Sequence, residues 1–306
     1  MAESTHIGLV GCGRWGANIL RDLLALGARV TVVAVDVDTA ERAGRGGAQA
    51  VVAAIHELPA VAGAVVATPS ATHAEVVEEL LARNIPIFVE KPMTIDAASA
   101  TSIAARAGER VFVMDKWRFH PGVEMLREIA RTGELGRVNY LLSTRTQWGQ
   151  PHADTDGIWI LAPHELSIAY EILGHLPEPR AAAAEVSGGR ADTMTALMGK
   201  DPWFRFEVSA RHHIRRRETA LHCENGIAVL SGSPDGAYES LTIHRDRGGE
   251  LSVEKRPLSE RLPLFAELSA FLDHLNGGPP PKSSAAEGAA VVSAVAELRR
   301  LAGIEE

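Results

Sequence analysis

Short apolar segments alternate with longer amphipathic segments through the first third of the chain. The short segments have the length and the β-branched content of buried strands, and the longer ones carry apolar residues at helical spacing. Alternation of strand and helix with short links predicts an α/β Rossmann domain, a doubly wound parallel sheet. The predicted strands cover residues 7–10, 30–35, 64–67, 85–89 and 111–114, and the helices include 19–26, 74–81 and 97–107.

The pattern changes after residue 120, where strands follow one another with few helices between them. Trp203–Ala210 alternates apolar and polar residues, as a half-buried strand does. We therefore expect an α+β domain with a mixed, largely antiparallel open sheet over residues 120–306, following a nucleotide domain over residues 1–119. A final helix at about 285–302 is expected to pack back on the first domain. Further strands are predicted at 138–148, 218–222, 227–230, 241–245 and 251–255, and a short helix at 124–130.

The first strand leads directly into the segment Gly11-Cys12-Gly13-Arg14-Trp15-Gly16, and the second ends at Asp36. Gly11 permits a tight turn, Gly13 lets the backbone approach a pyrophosphate, and Gly16 lets the helix pack on the strand. Asp36 follows Gly16 by 36 − 16 = 20 residues, the spacing of the acid that accepts hydrogen bonds from the adenosine ribose. A carboxylate there repels a 2′-phosphate. We therefore predict dinucleotide binding, with NAD(H) preferred over NADP(H).

A second candidate lies where the strand that includes Ile87-Phe88-Val89 ends in Glu90-Lys91-Pro92. Proline cannot donate to a ladder and favours extended geometry in the residue before it. Lys91 is therefore expected at the carboxyl end of a strand, where open α/β sheets bind their ligands.

Together these segments resemble the glucose-fructose oxidoreductase, inositol dehydrogenase and MocA (Gfo/Idh/MocA) family of NAD(P)-dependent oxidoreductases. The resemblance implies that Lys91 lies beside the substrate hydroxyl and the nicotinamide, that Glu90 contacts the nicotinamide ribose, and that the Lys91-Pro92 peptide is cis. It also implies cofactor contacts from Arg14, Trp15, Thr68, Pro69 and His73. The matching segments are the glycine loop, Ala67-Thr68-Pro69 with His73, Glu90-Lys91-Pro92 and Arg118-Phe119-His120-Pro121.

His164 is the candidate partner of Lys91. Pro163 suits a first helical turn, so we expect His164 at a helix start, on a polar face with Ser167 and Glu171. The helix dipole there would keep the imidazole neutral, as a proton acceptor needs. Members of the family often carry Asp-x-x-x-His-x-x-Asp at this point, but this chain has Ile160 and Ser167 in place of the two aspartates. That difference argues against an inositol-type substrate.

Further polar and aromatic residues are candidates for the substrate site. The basic run Arg211–Arg217 is interpreted as a solvated strand edge, although a phosphorylated or nucleotide-linked substrate would use its charge. His152, Asp154 and Asp156 have a faintly metal-like spacing but are interpreted as a loop, and no metal site is expected. The predicted substrate-binding residues are Lys91, Arg118, Arg145, Gln147, Trp148, Trp159 and His164.

Composition narrows the functional class. The formal net charge of −8 argues against nucleic-acid binding, and two cysteines imply no disulfide framework. The start of the chain lacks the pattern of a signal peptide, and no apolar run is long enough to span a bilayer, so we expect a cytoplasmic protein. We also expect a homo-oligomer, a dimer or tetramer formed through the open face of the second sheet.

The predicted function is hydride transfer between a secondary alcohol or ketone carbon of a sugar, sugar derivative or polyol and NAD. Lys91 and His164 are the predicted catalytic residues, and either could be the proton acceptor. The alternatives are a dihydrodiol dehydrogenase or imine reductase on the same fold, or a non-catalytic NAD-sensing regulatory protein.

Overall fold

The computed structural model describes residues 4–149, 154–232, 238–246, 248 and 250–304. This part of the chain forms two compact units. Unit 1 comprises the described residues up to Lys116 together with Leu262–Val292, and unit 2 comprises Trp117–Arg261 with the described residues from Ser293 onwards. The boundary predicted at residue 119 lies three residues from the first division (119 − 116 = 3), but Leu262–Val292 lies in unit 1.

Unit 1 is built on a six-stranded parallel sheet with the order β3-β2-β1-β4-β5-β6. The predicted doubly wound parallel sheet is confirmed. The strands are β1 (His6–Val10), β2 (Arg29–Val33), β3 (Ala50–Val52), β4 (Gly63–Val66), β5 (Ile87–Glu90) and β6 (Val111–Met114), and the helices between them are α1 (Arg14–Ala25), α2 (Val37–Arg45), α3 (His73–Ala82) and α4 (Ala97–Ala107).

Three of the differences between observed and predicted element boundaries affect the candidate site. Strand β2 ends at Val33, so Asp36 lies beyond the strand, as the N-cap residue of α2. Helix α3 begins at His73, because Ser70–Thr72 forms a 3₁₀ turn first. Strand β5 extends through Glu90, which places Lys91 directly after the strand.

Helix α7, Pro263–Leu275, belongs to unit 1 and was not predicted from the sequence. Its apolar residues Leu264, Leu268, Phe271 and Leu272 are buried in one core with residues of β1, β2, β5 and β6. The Phe271 ring stacks on Phe88 of β5, with 5.0 Å between the ring centroids. Pro263 at the helix start and the i, i+4 spacing of the apolar residues were available as signals.

Unit 2 contains an eight-stranded sheet with the order β14-β13-β12-β11-β7-β10-β9-β8. Strands β7 and β10 are parallel and the other neighbours are antiparallel, so the predicted mixed, largely antiparallel sheet is confirmed. The strands are β7 (Val138–Trp148), β8 (Pro179–Ser187), β9 (Arg190–Gly199), β10 (Trp203–Ser209), β11 (Arg211–Cys223), β12 (Gly226–Gly232), β13 (Tyr238–Asp246) and β14 (Leu251–Arg256).

One hairpin of this sheet was not anticipated, and the basic run has a defined place in it. The β8–β9 hairpin was missed, because its first strand is rich in alanine, which has a low strand preference. Its turn residues Gly188 and Gly189 both have positive φ, as a tight hairpin turn requires. The basic run Arg211–Arg217 begins β11. Arg211, Arg216 and Arg217 pair with β7, but among the described residues pairing with β12 begins only at Glu218, and most of the run is exposed, which agrees with the predicted solvated strand edge.

Three helices complete the description: α5 (Pro121–Thr132) and α6 (Gly157–Leu173) in unit 2, and α8 (Ala285–Leu301) near the end of the chain. The division between the units falls within α8, after Val292. The start of α8 packs against β6 in unit 1. Gly288 of α8 lies so close to Val113 of β6 that a Cβ on Gly288 would be 2.5 Å from the Val113 side chain. Among the described residues, no helix is both long and apolar enough to cross a membrane.

We predict that Phe271→Ala lowers the free energy of unfolding by about 3–5 kcal/mol, because it opens a cavity against Phe88 in the core of unit 1. Chemical denaturation measures the change. Leu262→Ala is the control, since Leu262 precedes the same helix and is 63% exposed. Equal stabilities of the two variants would show that α7 does not stabilise unit 1.

Candidate functional site

The glycine loop between β1 and α1 has the geometry that its three glycines require. Gly11 has φ of +90°, and a Cβ there would lie 2.7 Å from the carbonyl oxygen of Ala67. A Cβ on Gly16 would lie 2.5 Å from the carbonyl oxygen of Gly11. Gly13 is the N-cap residue of α1, and the position of its absent Cβ has no atom within 4 Å. The open space at a helix start suits the pyrophosphate of a dinucleotide.

Asp36 is exposed and caps α2. Its carboxylate accepts hydrogen bonds from the backbone N–H and the hydroxyl of Thr39, both at 2.8 Å. These bonds hold the pKa of Asp36 below its usual value, so the group is an anion near neutral pH. Arg42 of α2, which the sequence analysis did not name, donates to the carbonyl oxygen of Cys12 in the glycine loop at 3.0 Å.

His73 links two loops at the carboxyl ends of β4 and β5. Its ring is 1% exposed, with Nδ1 2.8 Å from the carbonyl oxygen of Pro92 and Nε2 3.0 Å from that of Thr68. The Lys91-Pro92 peptide between these loops is cis. Both ring nitrogens thus lie at hydrogen-bond distance from backbone carbonyls, and His73 holds the Thr68-Pro69 loop and the Lys91-Pro92 loop together. Its contact with a cofactor stays a prediction.

Glu90 connects the glycine loop to Lys91. The Trp15 indole N–H donates to one carboxylate oxygen of Glu90, and the backbone N–H of Lys91 donates to the other at 3.1 Å. The Lys116 ammonium lies 4.1 Å from the centroid of the Trp15 ring. Burial raises the pKa of Glu90, while the positive charges of Lys91 and Lys116 and the Trp15 hydrogen bond oppose that rise. Arg14, the remaining residue predicted in this loop, is exposed.

Glu267 of α7 is an acidic neighbour that the sequence analysis missed. Its side chain is fully buried, and within the described part of the chain neither carboxyl oxygen has a hydrogen-bond partner. Burial raises its pKa well above the usual value, the charges of Glu90 and Asp115 raise it further, and Lys116 lowers it. The carboxyl group is therefore neutral over a range of pH in which an exposed glutamate is charged.

In unit 2, His164 lies in the middle of α6 rather than at a helix start. Helix α6 begins at Gly157, where the Asp156 carboxylate accepts a hydrogen bond from the Trp159 N–H at 3.2 Å, and Pro163 lies inside the helix. The predicted effect of the helix N-terminus on His164 is therefore wrong, because the field of the terminus falls off within the first turn. His164 packs edge-on against the Trp117 ring, with 6.3 Å between centroids.

The face of α6 that His164 shares with Ser167 and Glu171 is polar but not solvated. Ser167 and Glu171 are 1% and 5% exposed. The Glu171 carboxylate accepts from Arg118 Nε at 2.9 Å and from Arg127 Nη1 at 2.8 Å. Arg118, a predicted substrate ligand, is thus engaged in a buried ion pair.

Trp117 is the centre of an aromatic cluster that was not predicted. Its ring packs against His120 at 5.6 Å and Tyr238 at 5.3 Å. His120 Nδ1 accepts from the Gly122 N–H, and burial lowers the pKa of His120 to about 4. Burial raises the pKa of Tyr238 to about 12. Both groups are therefore neutral near pH 7.

Arg145 of β7 is 1% exposed and forms an ion pair with Glu165 of α6 through its Nε. The Ser143 hydroxyl donates to the other oxygen of the same carboxylate. Since Glu165 follows His164 in the chain, this pair fixes the helix backbone at His164.

The other predicted substrate-binding residues differ in exposure and in the groups that they contact. Trp148 is 74% exposed, and Gln147 donates to the carbonyl oxygen of Gly149 at 2.9 Å. Trp159 is buried, with the Arg299 guanidinium 5.6 Å from its ring centroid. His152 lies outside the described residues, and the described residues contain no group of three or more His, Cys, Asp and Glu side chains that could hold a metal ion.

The fold and the glycine loop of unit 1 are those of a dinucleotide-binding domain. Residues 5–114 match the model of the oxidoreductase family Gfo/Idh/MocA with an NAD-binding Rossmann fold. This part of the chain resembles that family, as the sequence motifs indicated.

Similarity to individual proteins supports the same assignment. An inositol 2-dehydrogenase from Renibacterium salmoninarum is 32% identical over 50% of this chain, and the chain spans about half of that relative's length (51%). A UDP-N-acetylglucosamine 3-dehydrogenase from Acidithiobacillus ferrooxidans is 26% identical over 76% of each chain. A solved structure of the enzyme of that name and organism covers 99% of both chains with a TM-score of 0.84 at 22% identity, which shows the fold.

We predict that Glu267→Gln makes the protein more stable than wild type at pH 8 and similarly stable at pH 5. A raised folded-state pKa means that folded Glu267 keeps its proton where the unfolded chain has lost it. Wild-type stability therefore falls by about 1.4 kcal/mol per pH unit as pH rises from the unfolded pKa towards the folded one. Glutamine removes this dependence.

Urea denaturation at the two pH values measures the difference in the free energy of unfolding. Glu79→Gln is the control, because Glu79 is an exposed residue of α3. A Glu267→Gln variant that is less stable than wild type at pH 8 would mean that the carboxylate is charged and stabilised by Lys116.

Proposed function

We propose that this protein is an NAD-dependent dehydrogenase that oxidises a secondary alcohol of a sugar, sugar derivative or polyol, or reduces the corresponding ketone. The observation that carries the proposal is the position of Glu90, which binds Trp15 of the glycine loop and the backbone of Lys91 through one carboxylate. A carboxylate that is bonded both to the glycine loop and to Lys91 is suited to accept hydrogen bonds from the nicotinamide ribose of a bound dinucleotide. The names of the similar dehydrogenases support the substrate class.

Bound NAD would supply the hydride acceptor, and the protein residues would manage the proton. Lys91, at the carboxyl end of β5, donates a hydrogen bond to the substrate oxygen. His164 takes the hydroxyl proton during oxidation and returns it during reduction. The buried Arg145–Glu165 pair and the Trp117 ring hold His164 in position.

The cofactor would lie with its pyrophosphate over Gly13 at the start of α1 and its adenosine ribose at Asp36. The charged Asp36 carboxylate supports a preference for NAD, because it repels a 2′-phosphate. Arg14, Trp15, Thr68 and Pro69 are the further cofactor contacts we propose.

We also propose a homo-oligomer formed through the open face of the eight-stranded sheet. The face supports this because the Tyr140 ring stacks between Trp203 at 4.2 Å and His222 at 4.1 Å, and Leu197 is 40% exposed. The free, buried cysteines Cys12 and Cys223 support a reducing cytoplasm as the compartment.

We predict that Lys91→Ala lowers kcat for the preferred substrate by roughly 10²- to 10⁴-fold while NADH binding stays within about threefold of wild type. The alanine removes the donor to the reacting oxygen but leaves the glycine loop intact. Stopped-flow turnover and NADH fluorescence titration measure the two effects. Lys255→Ala is the control, because Lys255 is an exposed residue of β14. Near-normal turnover of Lys91→Ala would contradict the proposed role.

We predict that Asp36→Asn shifts the ratio of NADP to NAD affinity by roughly 10-fold towards NADP, because it removes the charge that opposes a 2′-phosphate. Asparagine can still accept the hydrogen bond that caps α2. Asp96→Asn is a matched control, since Asp96 caps α4 in the same way through the Ser99 N–H. Tighter binding of NADP than NAD by the wild type would refute the cofactor assignment.

A further inference from the structure

Four buried side chains of unit 2 form a chain of hydrogen bonds that ends at Glu165, the residue after His164. The Ser143 hydroxyl of β7 donates to the Glu165 carboxylate of α6. The same hydroxyl lies 3.3 Å from the Thr219 hydroxyl of β11, which lies 3.0 Å from the Tyr238 hydroxyl of β13. Each of the four residues is at most 6% exposed, so the hydrogen bonds are closed off from bulk water.

The carboxylate at the end of this chain determines which group donates in each bond. A carboxylate only accepts, and each hydroxyl has a single proton to donate. The Ser143 hydroxyl also lies 3.3 Å from the Glu218 carbonyl oxygen, but the bond to a charged acceptor is the stronger one. Ser143 therefore donates to Glu165. It follows that Thr219 donates to Ser143 and that Tyr238 donates to Thr219.

Tyr238 is at the donor end of the chain and must keep its proton. Burial raises the pKa of Tyr238 to about 12, so the phenol is protonated near neutral pH. Each bond in a buried chain polarises the next one, so the phenol strengthens the bonds that reach the carboxylate. The other oxygen of Glu165 accepts from Arg145 Nε. Both oxygens are thus bonded to residues of β7, and they fix the α6 backbone beside His164.

The ring of Tyr238 is connected to His164 by a second route. It packs edge-on against Trp117, with 5.3 Å between the ring centroids and an interplanar angle of 83°. Trp117 in turn packs edge-on against His164, with a centroid distance of 6.3 Å and an angle of 89°. Edge-to-face contacts at these distances are favourable and directional. Tyr238 therefore takes part both in the bonds that fix the backbone beside His164 and in the contacts that hold its imidazole.

We propose that Tyr238 is a positioning residue that orients His164 for proton transfer, through the hydroxyl chain to Glu165 and through the Trp117 ring. If Tyr238 only filled space, phenylalanine would do so without the cost of burying a hydroxyl. The inference rests on the proposed function, in which His164 exchanges the proton of the substrate hydroxyl. Tyr238 acts through His164 and not on the substrate.

Tyr238→Phe tests the inference, because it removes the hydroxyl and keeps the ring. Steady-state kinetics with NAD and each of glucose, sorbitol and glucuronate measure turnover. For any compound that the wild type oxidises, we expect kcat to fall roughly 10-fold while KM and the NADH dissociation constant stay within about twofold, since a displaced proton acceptor slows the chemical step alone. A loss of stability by itself would leave kcat of the folded protein unchanged.

Thr219→Val breaks the same chain one bond further on and should lower kcat by a similar factor. The double variant should be no slower than the slower single variant, because both changes interrupt one chain. Thr195→Val is the control, since Thr195 is an exposed residue of β9. Losses that multiply in the double variant, or a kcat of Tyr238→Phe equal to that of the wild type, would overturn the inference.

The imidazole signals of His164 in NMR spectra of histidine-labelled protein give a second test, which needs no substrate. His164→Gln assigns the signals. Tyr238→Phe and Thr219→Val should both shift them, because the ring current of Trp117 at the imidazole changes, and Thr195→Val should leave them in place. Unshifted signals contradict the inference whatever the turnover. Shifted signals without oxidation of any of the three compounds would count against the proposed function and not against the positioning of His164.

Discussion

The hydrogen bonds of one carboxylate, that of Glu90, fix the position of Lys91 relative to the glycine loop of unit 1. The parallel sheet brings the glycine loop after β1 and the end of β5 to the same edge, on either side of β4. Glu90 then joins them through the Trp15 indole and the Lys91 N–H. His73 fixes the next turn by binding the Pro92 and Thr68 carbonyls. A change in any of these groups is therefore expected to move Lys91 even though Lys91 itself is unchanged.

The sequence alone predicted those parts of the fold in which nearby turn residues mark where each helix or strand begins and ends. The parallel sheet, the helix at 97–107 and the strand at 138–148 were predicted from apolar periodicity and turn residues alone. Helix α7 could have been recognised from Pro263 and its apolar spacing, but its place in unit 1 could not, because it depends on a contact between Phe271 and Phe88, which are 183 residues apart in the chain (271 − 88 = 183). Periodicity shows that a helix has an apolar face, but not which core receives that face.

The candidate site was less predictable than the fold, because a polar residue type does not reveal what its polar atoms bind. Arg118 and Arg145 have the charge of substrate ligands, yet each binds a buried glutamate of α6. The helix start assigned to Pro163 was wrong because Asp156 caps the helix seven residues earlier (163 − 156 = 7), and proline is also found inside helices. Glu267 gave no signal in sequence, since its burial follows from the position of α7.

The two units compensate buried charge in different ways. In unit 1, burial raises the pKa of Glu90 and of Glu267, and the positive charge of Lys116 opposes both shifts. A protonated Glu267 leaves Lys91 and Lys116 to compensate the charge of Glu90. In unit 2, buried carboxylates pair with arginines, Glu171 with Arg118 and Arg127, and Glu165 with Arg145. A buried carboxyl group is therefore tolerated in unit 1 by losing its charge and in unit 2 by pairing with a cation.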